Sequence, residues 1–295
     1  MAAHAAGLSD AELRHFGQNG WVLKQVFTVD ECATLRSAGD AELEARAAEQ
    51  GHTAADVLQA AGKAVLSFHG IIDTRPSEEK PEGPAVAVAA SVFKRVWQEH
   101  PVIQGALTQL LGTGPPVFTD SSVRMTPPHP DRHDPAAQAT SRDPSAMAWH
   151  RGIRPSWGVR NGAADDHIVS SWVNTATYLS DVLHADDGGT RLLSGSHLIN
   201  DADLPVSTAT PGQAVGPMGS VLFFSEAMIH CAVDVLSDST RYAMFIACAP
   251  SGIETRVGWR PAEESDVEWD QDLAERRQAV AEFGLRMCGA AAARL

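Results

Sequence analysis

Three positions in this chain have the types and spacing of a metal site that also anchors an acid. His150 stands two positions before Gly152 in "MAWHRGIRPSW" (147–157). In a β-strand, residues two apart project from the same face, so a histidine and a carboxylate at i and i+2 reach one ion while the residue between them points away. Here the i+2 position is a glycine and supplies no carboxylate. A second histidine, His230, ends the apolar run "VLFFSEAMIH" (221–230), and after "VDVLSDST" (233–240) Arg241 opens "RYAMFIACAP" (241–250). A hairpin of that form returns Arg241 beside His230, where its fork of donors suits a carboxylate gripped in bidentate fashion. The constellation is two imidazoles for a metal and a guanidinium for an oxo-acid.

Elements able to hold such a site are legible around it. Ser9 with Glu12 and Thr28 with Glu31 match capping boxes, which predicts helices over about 10–18 and 29–49, with "WVLKQVF" (21–27) a short strand between them. "ADVLQAAGKA" (55–64), "VAVAASVFKRVWQEH" (86–100) and "VIQGALTQLLG" (102–112) carry spaced apolar residues and read as helices. From about 116 the texture becomes β-branched and alternating, in "PVFTDSSVRM", "HIVSSWVNTATYL", "GTRLLSGSH", "GSVLFFSEAMIH" and "RYAMFIACAP". Short strands between Gly, Asp, Pro and Ser turns predict an antiparallel sandwich or jelly roll. The expected organisation is one catalytic domain over 1–295: a mostly helical part (1–115), a jelly-roll core (116–252) and a C-terminal part (253–295) with a charged helix at about 268–292. The Pro-rich stretch 126–144 lacks periodicity and reads either as a mobile surface insertion or as a lid over the site.

Composition narrows the function classes. With 295 residues, 44% hydrophobic and 20% charged, the chain can bury a sizeable core. A formal charge of -14 and a pI near 5.2 disfavour a nucleic-acid polymer as partner, since binding phosphates needs a basic face. The start has no basic n-region before an apolar run, and no window reaches the length of a membrane span, so a cytoplasmic protein without membrane partners is expected. Cys32, Cys231, Cys248 and Cys288 form no C-x-x-C pair and read as buried reduced thiols.

In order along the chain, "FGQNGWVLKQVFTVDECATLR" (16–36), "WHRG" (149–152), "ATYLSDVLHADDGGTRLLSGSH" (176–197), His230 and Arg241 resemble the phytanoyl-CoA dioxygenase-like iron(II)- and 2-oxoglutarate-dependent oxygenases. The most specific block is Gly188, Gly189, Gly195, Ser196 and His197, similar to a Gly-Gly…Pro-Gly-Ser-His signature with Ser194 in place of the proline. The resemblance implies a mainly β fold with flanking helices, the double-stranded β-helix (jelly roll, cupin-like). It also implies His150 and His230 on iron(II), and Arg241 on the distal carboxylate of 2-oxoglutarate.

Gly152 departs from the usual carboxylate and resembles the radical halogenases of that superfamily, which place chloride in the vacated position. Two neutral imidazoles and dianionic 2-oxoglutarate leave iron(II) formally neutral, so a missing carboxylate frees both room and charge for one halide. The implied reaction consumes O2 and 2-oxoglutarate, removes a hydrogen atom from an unactivated carbon and returns chloride to it. Alternatives stay open: a hydroxylase of the same fold, using His184 with Asp186 or His129 with Asp131 as the His-x-Asp pair, or an inactive small-molecule-binding module. A glycine in a strand also marks bulges and close backbone approaches without any ligand role. Asp186, Asp187, Glu226 and Asp234 are candidates for a replacement carboxylate reaching the metal from elsewhere.

His197 reads as a brace near the iron, and His52, His69 and His100 as surface or core residues. Phe223 and Phe224 read as core, one facing each side of the sheet. Trp157 and Trp172 are candidates for a substrate pocket or for core. Arg124, Arg151, Arg154 and Arg160 make a locally basic patch in an acidic chain, which points to a small anionic substrate such as a nucleotide, although Arg151 faces away from the iron by strand parity. The chain includes no carrier domain, so a free natural-product precursor, not one tethered to a carrier protein, is the expected substrate.

Overall fold

The computed structural model describes residues 7–49, 51–56, 66–69, 91–112, 116–143, 147–153, 159–161, 168–199 and 211–250. The expected helix at 55–64, the expected C-terminal helix, Arg154 and Trp157 lie wholly or mostly outside these residues, as does Cys288.

Both capping boxes form. Helix α1 (Asp10–Asn19) starts on Ser9, whose hydroxyl takes the Glu12 N–H while the Glu12 carboxylate takes the Ser9 N–H, and it stops on Gly20 at φ 83°. Glu12 also pairs with Lys24 at 2.8 Å, fixing the helix against strand β1 (Trp21–Gln25). Helix α2 (Val29–Glu49) opens on the Thr28–Glu31 reciprocal pair. Strand β2 (Leu66–His69) precedes a π-helical turn (Lys94–Gln98), and helix α3 (Pro101–Leu111) begins with proline in its first turn and ends on Gly112 at φ 68°.

The β part comprises β3 (Val117–Thr126), β4 (Val159–Asn161), β5 (Ile168–Ser170), β6 (Val173–Tyr178), β7 (Arg191–Leu193), β8 (Pro211–Gln213), β9 (Ser220–Ser225), β10 (His230–Cys231) and β11 (Arg241–Ala249). A six-stranded antiparallel sheet runs β1-β9-β6-β11-β3-β2, a smaller one β10-β7-β8, and β4 pairs with β5. Strand β2 had not been expected. Its four residues carry too short a pattern to stand out, and it exists through its distant partner β3.

Side-chain alternation divides the large sheet between two clusters. Val221, Phe223, Met244 and Ile246 pack with α1, α2 and α3 around the fully buried Trp97, whose indole N–H donates to Thr177 at 2.8 Å. Leu222, Phe224, Ala176 and Tyr178 form the opposite face with Leu192 and Met228. Phe223 and Phe224 thus face opposite sides, as strand parity requires. Burying side chains of this size contributes about 1.5–3 kcal/mol each. The helices cover one face of the large sheet, which leaves the other to line the site.

Cys32, Cys231 and Cys248 are buried and form no disulfide among the described residues, and burial pushes the Cys32 thiol up to about 11. No described helix is long and apolar enough to cross a membrane.

The stretch 126–143 is not an irregular insertion. It contains helix α4 (Pro135–Arg142), N-capped by Asp134, which buries none of its residues. Three polar ties moor it and its approach: Arg132 to Asp238 at 2.5 Å, Ser141 to Asp234 at 2.6 Å and Arg142 to Asp186 at 2.8 Å.

Candidate metal centre

His150 and His230 face each other across a two-residue antiparallel bridge. The N–H of each donates to the carbonyl of the other, at 3.0 and 2.9 Å, and their ring centroids lie 4.4 Å apart. Each ring is held the same way: Nδ1–H of His150 donates to the Ala148 carbonyl at 3.0 Å, and that of His230 to the Met228 carbonyl at 2.9 Å. Because a carbonyl only accepts, the tautomer is set and Nε2 of both rings keeps its lone pair. His230 is buried and its pKa is pushed down to about 3, chiefly by desolvation, with His150 and Arg124 adding to it. The ring is neutral at physiological pH, the state a metal requires. His150 is exposed and gives the pair an open side.

The glycine-rich block builds this site from two directions. Gly188, at φ 79°, presents its carbonyl to Nη1 of Arg241, and a Cβ there would lie 2.6 Å from Val235. Ser196 Oγ accepts the N–H of Ile229 at 2.9 Å, which sets the backbone just before His230, and Gly195 donates to the Asn19 carbonyl at 3.0 Å. His197 is fully buried and donates from Nε2 to the Gly17 carbonyl at 3.1 Å, so it braces α1.

Desolvation pushes the His197 pKa down to about 4, with Arg151 contributing. The neutral ring is the folded form, so stability is whole above the ordinary value of about 6.5 and declines as the pH falls toward the depressed one, by on the order of 2–3 kcal/mol. Urea midpoints at pH 7 and 4.5 should therefore diverge more in the wild type than in His197→Asn. Equal slopes would assign the acid sensitivity elsewhere.

Arg241 is 4% exposed, its Nε has no partner, and burial brings its pKa down to about 10. A buried cation left with an unmatched donor is suited to a carboxylate ligand. Arg124 lies on the adjacent strand with its guanidinium 4.4 Å over the Phe245 ring, and Arg241 stands 5.8 Å from the same ring. Two arginines therefore share one aromatic floor near His230. Trp172 is half-buried, and its carbonyl takes the Glu226 N–H at 3.0 Å. Arg151 is buried and donates to the Ile199 carbonyl. Arg160 lies in β4.

The rival pairs are spent on local structure. His129 Nδ1 accepts the Asp131 N–H within a turn. Asp186 is ion-paired to Arg142, and Asp187 accepts the N–H groups of Leu183 and His184. Asp234 serves α4.

One expectation is corrected. The space beside Gly152 is not vacant: the Glu226 carboxylate lies in it. A Cβ at Gly152 would overlap its Oε1 and stand 2.6 Å from its Cγ and Cδ. The Glu226 carbonyl accepts the Gly152 N–H at 3.0 Å, and its Oε2 accepts from the Asn174 amide. The physical reason is the turn Ser225–Met228, which brings Glu226 over the 150–153 segment on the same ladder that joins His150 to His230. Even so, no group of three or more His, Cys, Asp or Glu among the described residues is arranged to hold a metal. Asn174 was not recognisable from sequence; it stands among β-formers and becomes a site residue only through the pairing of β6 with β9.

A cavity of about 400 Å³ opens between α4, the Met147–Ala148 segment that leads to His150 and the 232–234 segment that follows His230. His129, Thr140, Ser141 and Asp234 give it polar walls.

No family model and no curated protein matches the chain, but solved structures do. HygX from Streptomyces hygroscopicus, with nickel and 2-oxoglutarate bound, superposes with a TM-score of 0.56 over 86% of this chain and 91% of its own, at 16% identity. The non-heme alpha ketoglutarate dependent carbocyclase SnoK of nogalamycin biosynthesis gives 0.53, covering 90% of each chain at 17% identity. The chain has the double-stranded β-helix fold. The epimerase SnoN, in complex with Fe3+, alpha ketoglutarate and nogalamycin RO, shares it at 0.52 and 14% identity, over 86% of this chain and 93% of its own.

Proposed function

We propose that this chain is an iron(II)- and 2-oxoglutarate-dependent halogenase that chlorinates an unactivated carbon of a free small molecule of natural-product biosynthesis. The observation that carries the reading is the pair of facing imidazoles, both tied at Nδ1 with Nε2 left over, beside a position 152 that has no side chain to offer. His150 and His230 would hold the metal. Arg241 would hold the distal carboxylate of 2-oxoglutarate, steadied by the Gly188 carbonyl. When bound, iron(II) with 2-oxoglutarate, O2 and chloride supplies removal of a hydrogen atom from the substrate and delivery of chlorine to the resulting carbon.

The protein's own contributions are binding, orientation and charge. The carbonyls of Ala148 and Met228 fix both rings before any metal arrives. Arg124 and Arg241 against Glu226 leave one positive charge over, which suits one further anion, a halide or an acidic group of the substrate. The cavity beside Ala148 is large enough for a small molecule. HygX and SnoN have been solved with hygromycin B and nogalamycin RO, which supports a small-molecule substrate here.

A second reading is favoured by one observation. The Glu226 carboxylate lies where an i+2 aspartate would project, and if it stayed there the enzyme would oxygenate its substrate without a halide. Anaerobic titration with iron(II) and 2-oxoglutarate, with and without chloride, separates the two. The halogenase predicts a chloride-dependent shift of the iron–2-oxoglutarate charge-transfer band and a chlorinated product after exposure to oxygen. An unmoved band with a product heavier by one oxygen would establish the second reading.

A further inference from the structure

Resting on the halogenase reading, we infer that Glu226 is an anion gate: its carboxylate holds the position beside Gly152 until a halide displaces it. The residues make the case. The chain meets itself here without a Cβ, since only glycine at 152 leaves room for the Glu226 side chain. Two backbone bonds press the segments together, from the N–H groups of Gly152 and Ile153 to the Glu226 carbonyl at 3.0 and 3.4 Å. The other oxygen of the same carboxylate, Oε2, accepts from the Asn174 amide, so the group keeps one anchor when Oε1 yields the position. The side chain is only partly buried, and its long stem can turn without disturbing the backbone clamp.

Charge explains why the gate is useful. With the halide absent, a vacant anion position beside the metal would be filled by whatever anion arrives. An internal carboxylate keeps that position neutralised. It also sets a threshold, because a halide must outcompete a carboxylate that is already tethered there, and a tethered competitor has a high effective concentration. No covalent bond is made or broken in the exchange: one anion replaces another, and the Asn174 amide keeps hold of the Glu226 carboxylate.

The test uses the full chain loaded anaerobically with iron(II) and 2-oxoglutarate, and titrates sodium chloride at constant ionic strength while following the charge-transfer band. In Glu226→Gln, which keeps the shape and loses the charge, chloride should half-saturate at a concentration lower by about tenfold or more. Glu226→Ala should behave similarly, with circular dichroism checking the fold of both. Identical chloride affinities in wild type and both variants would overturn the gate while leaving the halogenase intact. No chloride response in any of the three proteins would remove the halogenase reading itself. Loss of iron(II) binding in Glu226→Gln without chloride would make Glu226 a permanent ligand, and the gate would fall with it.

Discussion

Replacing Arg241 by methionine raises the 2-oxoglutarate concentration needed for half-saturation roughly 100-fold or more, while the folded chain survives. The guanidinium is buried with Nε unmatched and one Nη on the Gly188 carbonyl, so it is already oriented and desolvated before a dicarboxylate arrives. Breaking such a pair by removing one partner costs about 3 kcal/mol or more, because the remaining charge is left in a site that water reaches poorly. Methionine fills similar volume without a charge, so the loss is in binding and not in packing. Arg241→Lys should recover little, since an ammonium cannot both reach the Gly188 carbonyl and grip a carboxylate in bidentate fashion. Isothermal titration of 2-oxoglutarate into the iron-loaded protein is the measurement. An affinity within threefold of wild type in Arg241→Met would take the co-substrate away from this arginine.

Gly152→Asp should abolish chlorination and also weaken the site as a whole. In a typical i and i+2 pair the new aspartate would simply restore a carboxylate, but here its Cβ overlaps the Glu226 carboxylate. Two carboxylates in contact repel by about 4 kcal/mol in a partly screened environment, and the collision adds strain to a segment clamped by four backbone bonds to Glu226 and His230. The single variant is therefore expected to lose thermal stability together with halide response. Adding Glu226→Ala removes the competitor. The double variant should regain iron affinity and give an oxygenated product in place of a chlorinated one. Full chlorination in Gly152→Asp would exclude position 152 as the halide site.

Much of this site could be read before any coordinates, for identifiable reasons. His150 and His230 were singled out by type and spacing, and the structure brings them onto one bridge. The hairpin expected to return Arg241 beside His230 does not form: β10 pairs with β7, and β6 lies between β9 and β11, a long-range pairing that no local rule contains. The Gly188–His197 block was legible through its resemblance to a family signature, and the structure adds what the block holds: Arg241 at one end and the backbone of His230 at the other. The arrival of Glu226 at Gly152 was not legible. It was one of four candidate carboxylates, and nothing in "FFSEAMIH" distinguishes a turn that folds over the 150–153 segment from one that faces solvent. Helix α4 escaped notice because it buries no side chain and so has no apolar period to detect, although Asp134-Pro135 is a recognisable start. Strand β2 depends on a partner more than fifty residues away, a pairing that no local window contains.

The polar mooring of α4 carries a consequence for how the cavity beneath it is reached. Two of the ties are exposed ion pairs, which contribute about 0–1 kcal/mol each and weaken as salt rises, and the third is a single Ser–Asp hydrogen bond, so together they hold the helix by far less than the energy of the whole fold. Its amide protons should exchange with solvent by detachment of this short segment alone, faster in concentrated salt, while those of β6 and β9 wait for global unfolding. The helix is thus the most easily detached wall of the cavity beside Ala148, and raised ionic strength should detach it more often.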